Sequence, residues 1–402
     1  MSRFDPRSMV LLASAHVVDD VNQSFIPVLV PLLILQDHIS VATAFFLVFC
    51  QAASSSIIQP SIGHLADRVS MPWLIAVGIF LAGGGIAAMG VFHALPLLYL
   101  SALVSGIGVA CFHPEAARFA NYVAGEKKAT GMRWFVVGGN VGFAIGPTFA
   151  AGLVAVWGLH GSVFAVVPVT IVAALVLLDL RRLKSFVPAH ATKRSGAGTD
   201  DWRSFWKLSA YVVVRSMAYI GSVALIPLYV IEALHQTPKS GVGGLVTSAF
   251  LVFGVLGTIF GGPISDRVGR KPVLLWSTGL TAVLFTLLVA LTHGGNLWLA
   301  ILILLPTGFI FVSAQASFVV LGQEYLPNRL GLASGITLGL AVSLGGMFTP
   351  VLGAIADHFG VAASVLAIAA LALIAFVLAL WLPSESRSGQ RSPGKPSVAS
   401  AV

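Results

Sequence analysis

The chain has 402 residues, 57% of them hydrophobic and 9% charged, with a mean hydropathy of +0.93, whereas a soluble domain carries about 25% charged residues. Those proportions exclude a water-soluble globule, and the two cysteines, Cys50 and Cys111, lie apart inside apolar runs, so neither a disulfide framework nor a zinc site is indicated. The net charge of +8 does not mark a nucleic-acid binder, because no aromatic-interleaved basic domain stands outside the apolar runs.

Windows of about 20 residues, the length that crosses a bilayer, place twelve spans. They fall near 8–36, 41–64, 72–92, 95–118, 128–155 and 161–180, then 205–234, 242–264, 272–292, 296–321, 330–354 and 361–382. The first span is too long for a signal-peptide core and carries Asp19 and Asp20 with no small-residue cleavage site, so it reads as a retained helix. Residues 1–180 make one six-span bundle, 181–204 a polar cytoplasmic linker, 205–382 a second bundle, and 383–402 a disordered cytoplasmic tail. Basic residues collect on cytoplasmic loops. With both termini inside, 20 of the 23 Lys and Arg are cytoplasmic, Lys239 alone is outside, and Arg133 and Arg215 lie within spans. Trp73, Trp157, Trp298 and Trp381 sit near span ends, where amphipathic rings prefer the interface.

A charge at the bilayer centre costs from about 3 to more than 10 kcal/mol, so ionisable residues inside spans need a reason to be there. In the first span His16, Asp20, Gln23 and Pro27 point within about 60° of one another and form one polar stripe, with Asp19 at its edge. The fourth span carries His113 and Glu115 at an overlapping depth, with a Glu115–Arg118 pair at the helix end as the structural alternative. Carboxylates and imidazoles can both carry a proton at working pH. Asp20, Glu115, His113 and His16, with Asp19, are therefore expected to form a proton-coupling cluster.

Aligning Pro31 with Pro227 places Arg215 of the seventh span opposite Asp19. A lone intramembrane arginine wants an anion. It can neutralise Asp19 or Asp20, or hold an anionic substrate, since guanidinium matches carboxylate and phosphonate oxygens. Tyr211 and Tyr219 flank it at helical spacing, and Gln23, Arg133, Asn140, Gln51 and Gln315 are further candidates to line a binding cavity. An enzyme is not supported. No phosphate-cradling loop, metal-ligand cluster or paired nucleophile and base is legible, so no cofactor, metal or ATP drive is expected.

The halves repeat each other. Gly63-His64-Leu65-Ala66-Asp67-Arg68 closes the second span, and Gly262-Pro263-Ile264-Ser265-Asp266-Arg267-Val268-Gly269-Arg270-Lys271 closes the eighth, 199 residues later. This punctuation resembles the loops between helices 2 and 3 and between helices 8 and 9 of the major facilitator superfamily. The first copy departs at Ser70-Met71-Pro72, where Gly-Arg-Lys would stand. His16-x-x-x-Asp20-x-x-Gln23, Phe112-His113-Pro114-Glu115, Met71-Pro72-Trp73 and Gly138-Gly139-Asn140 are similar to the bacterial fosmidomycin-resistance efflux proteins.

The resemblance implies an all-α polytopic membrane protein of twelve transmembrane helices in two pseudo-symmetric bundles, with helices 1, 4, 7 and 10 lining a central cavity. It also implies that Gly63, Asp67, Arg68, Gly262, Asp266, Arg267, Gly269, Arg270 and Lys271 form conformational-switch loops, in which an aspartate meets a neighbouring helix N-terminus. Gly142, Gly146 and Pro147 resemble the packing motif of the superfamily's exporters. The expected function is proton-coupled export of small anionic or amphiphilic compounds by alternating access, as a monomer in the lipid bilayer of a bacterial inner membrane, with protons as co-substrate. Proton-coupled uptake of a metabolite and a transporter-like sensor without net flux are the alternatives.

Overall fold

The computed structural model describes residues 4–187, 199–329, 332–333, 336–337 and 341–383. Most of the expected linker and the expected disordered tail lie outside them. The described residues form helices and no strand: α1 (Pro6–Gln23), α2 (Ile26–Asp37), α3 (Val41–Arg68), α4 (Trp73–Ala88), α5 (Leu95–Val123), α6 (Lys128–Trp157), α7 (Val166–Leu178) and α8 (Leu180–Lys184) in the first half. The second half holds α9 (Trp202–Glu232), α10 (Val242–Val268), α11 (Arg270–Leu291), α12 (Leu297–Ser313), α13 (Gln315–Tyr325), α14 (Ala341–Met347), α15 (Thr349–Phe359) and α16 (Val361–Leu380).

Nine stretches of the described residues are long and apolar enough to cross a membrane. One of them, Thr130–Leu178, contains both α6 and α7, joined by a 3-10 turn over Gly158–Ala165. Counting these as two crossings, and adding the short apolar α4 and the crossing that contains α14 and α15, brings the total to the expected twelve. Trp73, Trp157, Trp298 and Trp381 are all exposed on the outer surface of the bundle.

Among the described residues three crossings are interrupted, two of them beside a proline. The first breaks at Ser24 and Phe25, because Pro27 has no N–H to continue the ladder. The tenth breaks at Ala314, between α12 and α13. The eleventh breaks at Phe348, two residues before Pro350. Discontinuous helices of this kind free backbone groups that can line a cavity.

Without a hydrophobic drive between helices in lipid, association relies on close packing of small residues. Along α6, Gly138, Gly142 and Gly146 recur every four residues and press on the carbonyls of Ala13, Val17 and Val21 of α1. A Cβ at Gly138 would stand 2.5 Å from the Ala13 oxygen.

The two halves meet at one end. There a single apolar cluster draws Val30, Val41 and Phe45 from the first half and Leu225, Tyr229, Phe250 and Leu352 from the second. Thr148 N donates to Ser248 Oγ at 2.9 Å, and Thr349 Oγ1 donates to the Phe45 carbonyl at 3.3 Å. At the other end, which holds Pro6 and Leu380, each half keeps its own cluster, around Phe112 and Phe119 in the first and around Tyr211 and Phe318 in the second. The molecule is thus sealed at the end remote from Pro6 and Leu380, and the space between the halves lies behind that seal.

Candidate functional site

A cavity of 190 Å³ lies between the halves. Its wall includes Asp20 and Gln23 from α1, His113 from α5, Asn140 and Phe143 from α6, Tyr219 from α9, Thr258 from α10 and Gln315 from α13. A smaller space of 80 Å³, lined by Gln23, Gln51 and Gly346 among others, adjoins it towards the sealed end. The ionisable groups Asp20 and His113 come from the first half, and the second half brings Tyr219, Thr258 and Gln315 together with apolar Leu251, Val255 and Val312.

Four of the five expected proton-coupling residues come together. His16 Nε2 stands 3.4 Å from Asp20 Oδ2, His113 Nε2 stands 3.4 Å from Asp20 Oδ1, and His113 Nδ1 stands 3.4 Å from Asp19 Oδ2. Gln23 Nε2 donates to Asp20 Oδ1. Helical geometry builds half of this, because His16 and Asp20 are i,i+4 neighbours on one face of α1. His16 is held by Phe135, whose ring stacks on it at 4.1 Å and whose carbonyl lies 2.8 Å from Nδ1. The two imidazoles meet edge to face at 5.1 Å.

These contacts constrain where protons sit. The Phe135 carbonyl can only accept, so His16 Nδ1 donates to it, and the Val109 carbonyl, 3.1 Å from His113 Nδ1, imposes the same tautomer there. Both Nε2 atoms are then left facing oxygens of one carboxylate. Each contact is attractive only if a proton lies between nitrogen and oxygen, on the imidazole or on the carboxyl. Asp20 thus gathers two proton-dependent contacts, one to its own helix and one to α5.

The fifth residue, Glu115, is not brought to this cluster. Its Oε1 accepts from Met71 N at 2.6 Å and from Arg118 Nη2 at 2.7 Å, which ties α5 to the turn between α3 and α4. Two residues along a helix are about 200° apart, so Glu115 faces away when His113 faces the cavity.

Arg215 does not line the cavity either. It is 3% exposed, its Nη2 donates to the Phe311 carbonyl at 2.7 Å, and its Nε has no described acceptor. The rings of Phe311, Phe318 and Tyr219 lie 4.9, 5.0 and 5.9 Å from the guanidinium carbon. Phe311 lies two residues before the end of α12, so this cation caps a broken helix where the backbone dipole is negative. Tyr219 stands between it and the cavity. Tyr211 is buried in the second-half core, Arg133 is exposed, and Gln51 is occupied by the Ser105 hydroxyl at 2.9 Å and the Asn22 carbonyl at 3.3 Å.

In the second loop motif, Gly269 joins α10 to α11 with φ +97, a conformation suited to glycine. Arg270 pairs with Glu324 at 2.8 Å, and Lys271 donates to the Leu380 carbonyl at 2.9 Å, both within the second half. Asp266 and Arg267 are exposed, and a Cβ at Gly262 would meet nothing within 4 Å. In the first motif Gly63 faces Pro114, while the side chains of Asp67 and Arg68 lie outside what is described.

Sequence reasoning missed Phe143, Thr258 and the two carbonyls that fix the imidazoles. Phe143 was within reach of it, being one turn from Asn140 on the same face. A metal ion could also bridge His16, Asp20 and His113, whose ligand atoms lie within 4.8 Å of one another. Their contacts with one another already engage them.

Comparison with known proteins carries the same architecture further. The sequence model of the Major Facilitator Superfamily matches residues 12–339 and 217–401. The fosmidomycin resistance protein of Escherichia coli K12 is 30% identical over 359 residues, which cover 86% of each chain. An uncharacterized MFS-type transporter of Bacillus subtilis 168, YfnC, is 27% identical, covering 94% of this chain and 93% of that one. Among solved structures, a bacterial homolog of the human lysosomal transporter Spinster, in an inward-facing and occupied conformation, superposes with a TM-score of 0.81 at 14% identity, covering 94% of this chain and 97% of that one. Two six-helix halves around a polar cavity, a family match along nearly the whole chain and a relative of the same length agree: this multi-pass membrane protein is a transporter, not an enzyme, and belongs to the Major Facilitator Superfamily.

Proposed function

We propose that the protein is a proton-coupled antiporter that exports small amphiphilic compounds by alternating access. The observation that carries this reading is Asp20, whose two oxygens each face an imidazole nitrogen at 3.4 Å in a geometry that requires a proton at each contact. Asp20 and His113 also line the cavity, so substrate and proton compete for the same wall. Only a difference in affinity between two states can shift their equilibrium. Proton occupancy of this cluster supplies that difference, and Asp19 is its buried reserve.

The wall chemistry favours amphiphilic cargo: the amides of Gln23, Asn140 and Gln315 share the cavity wall with the apolar Phe143, Leu251, Val255 and Val312. Arg215, screened by Tyr219, leaves the strictly anionic alternative with no accessible cation of its own half in this conformation. The likeness to the fosmidomycin resistance protein supports export as the direction. The excess of Lys and Arg at the end holding Pro6 and Leu380 supports cytoplasmic termini in a bacterial inner membrane. The sealed end then faces outward and the state is inward-facing. The functional unit is a monomer.

Reconstituted vesicles with an internal pH dye test the reading. A panel of amphiphilic dyes should dissipate an imposed proton gradient in the wild type, and Asp20→Asn should abolish this while still binding the dyes. Proton movement that survives Asp20→Asn unchanged refutes the coupling role.

A further inference from the structure

The seal between the halves contains a charged contact. Asp357, near the end of α15, accepts from Val41 N with Oδ1 at 2.7 Å and from Ala42 N with Oδ2 at 2.9 Å. Val41 and Ala42 open α3, in the other half, and Ser40 Oγ accepts from Thr43 N at 3.1 Å. A helix begins with four N–H groups that lack helical partners. Here three are filled, two of them by a carboxylate 315 and 316 residues away in sequence. That carboxylate also sits at the positive end of the α3 dipole. The approach depends on Gly353, one turn before Asp357, where a Cβ would stand 2.6 Å from Ala42 Cα.

We propose that Asp357 is a positioning residue of the transport cycle: a carboxylate clasp across the two halves that sets how often the end remote from Pro6 and Leu380 opens. It rests on the alternating-access reading for its consequence, and on geometry alone for its existence. The clasp belongs to one state only. When that end opens, α3 and α15 separate, both N–H groups and the carboxylate return to water, and the stabilisation is lost. The second half thus grips the first through a helix start at this end, the same chemistry expected of the loop aspartates Asp67 and Asp266 at the opposite end.

The test is a distance measurement by electron paramagnetic resonance on the full chain in nanodiscs, with nitroxides on Val91→Cys and His293→Cys, both exposed at the sealed end of opposite halves. Asp357→Asn keeps the shape but turns one acceptor into a donor that faces an N–H. Losing about 1–2 kcal/mol in the closed state should raise the open-to-closed ratio about 5- to 30-fold. Val41→Pro removes one donor at a helix position that tolerates proline and should shift the ratio in the same direction, so that the idea survives if the first variant misfolds. A folded Asp357→Asn or Val41→Pro protein with the wild-type distance distribution overturns the clasp. A wild type whose distances stay fixed with and without substrate and across pH overturns alternating access itself, a different failure.

Discussion

Arg215 donates to the carbonyl of Phe311 at 2.7 Å across the boundary between α9 and α12, and this bond, not an acidic partner, is what holds the guanidinium inside the second half. Its counterpart in the repeat, Asp19, faces His113 across the boundary between α1 and α5. The two halves therefore carry charges of opposite sign at one aligned position, each held by a different kind of partner.

Arg215→Ala should leave the Phe311 carbonyl without its side-chain donor and open a void among three rings, lowering stability by about 1–3 kcal/mol. Because Tyr219 screens it from the cavity, the affinity for an amphiphilic dye should change by less than tenfold. Thermal unfolding in detergent and dye binding separate the two effects, and a selective loss of affinity without loss of stability would return Arg215 to the cavity wall.

Gly139 lies against the cluster, where a Cβ would stand 2.5 Å from His16 Nε2 and 2.7 Å from Asp20 Oδ2. Gly139→Ala must push that pair apart and should reduce proton-coupled transport at least tenfold in a protein that still folds. Gly152→Ala, on the same helix with nothing within 4 Å, should transport at the wild-type rate. Equal activity of the two variants would contradict the placement of the cluster.

At the end that holds Pro6 and Leu380, Asp5 caps α1 and pairs with Arg182 through two bonds of 2.7 and 2.9 Å. Burial pushes the Asp5 carboxyl up, and the hydrogen bonds from Arg182 and Ser8 outweigh it, leaving it below its usual 3.8. A carboxyl depressed on folding stabilises above its unfolded value, and that contribution fades as pH falls through the lowered one. The melting-temperature gap between wild type and Asp5→Asn should therefore be constant near neutrality and close below pH 3.8. A gap that widens on acidification would reverse the assignment.

Lys271 donates to the Leu380 carbonyl at 2.9 Å and to the Leu382 carbonyl at 2.5 Å, at the negative end of α16. Lys271→Met should cost about 0.3–1 kcal/mol of stability. Since the contact lies wholly inside the second half, transport rate should follow stability and not fall beyond it. A tenfold slower cycle in a protein of normal stability would instead assign Lys271 to the switch.

Much of this was legible in the sequence. The twelve spans follow from length and hydropathy, and the stripe of His16, Asp20 and Gln23 follows from 100° per residue. What failed was direction around a helix. Glu115 and His113 share a depth, but the step between them turns one away from the other. Arg215 lies at the depth of Asp19, yet a long side chain decides its own destination, and a backbone carbonyl of another helix is invisible to residue patterns. Asp357 carries no signal in the sequence, because its partners are two amides more than 300 residues away.

The break at Ser24 and Phe25 sits one residue beyond Gln23 and four beyond Asp20. The upper part of that crossing reaches, through Val30, into the cluster shared by both halves, and the lower part carries His16, Asp19 and Asp20. A rigid rod would pass every tilt of the bundle straight through to Asp20. An elbow there uncouples the two segments, so under the proposed coupling a change at Asp20 would be met first by a bend at Ser24 and Phe25.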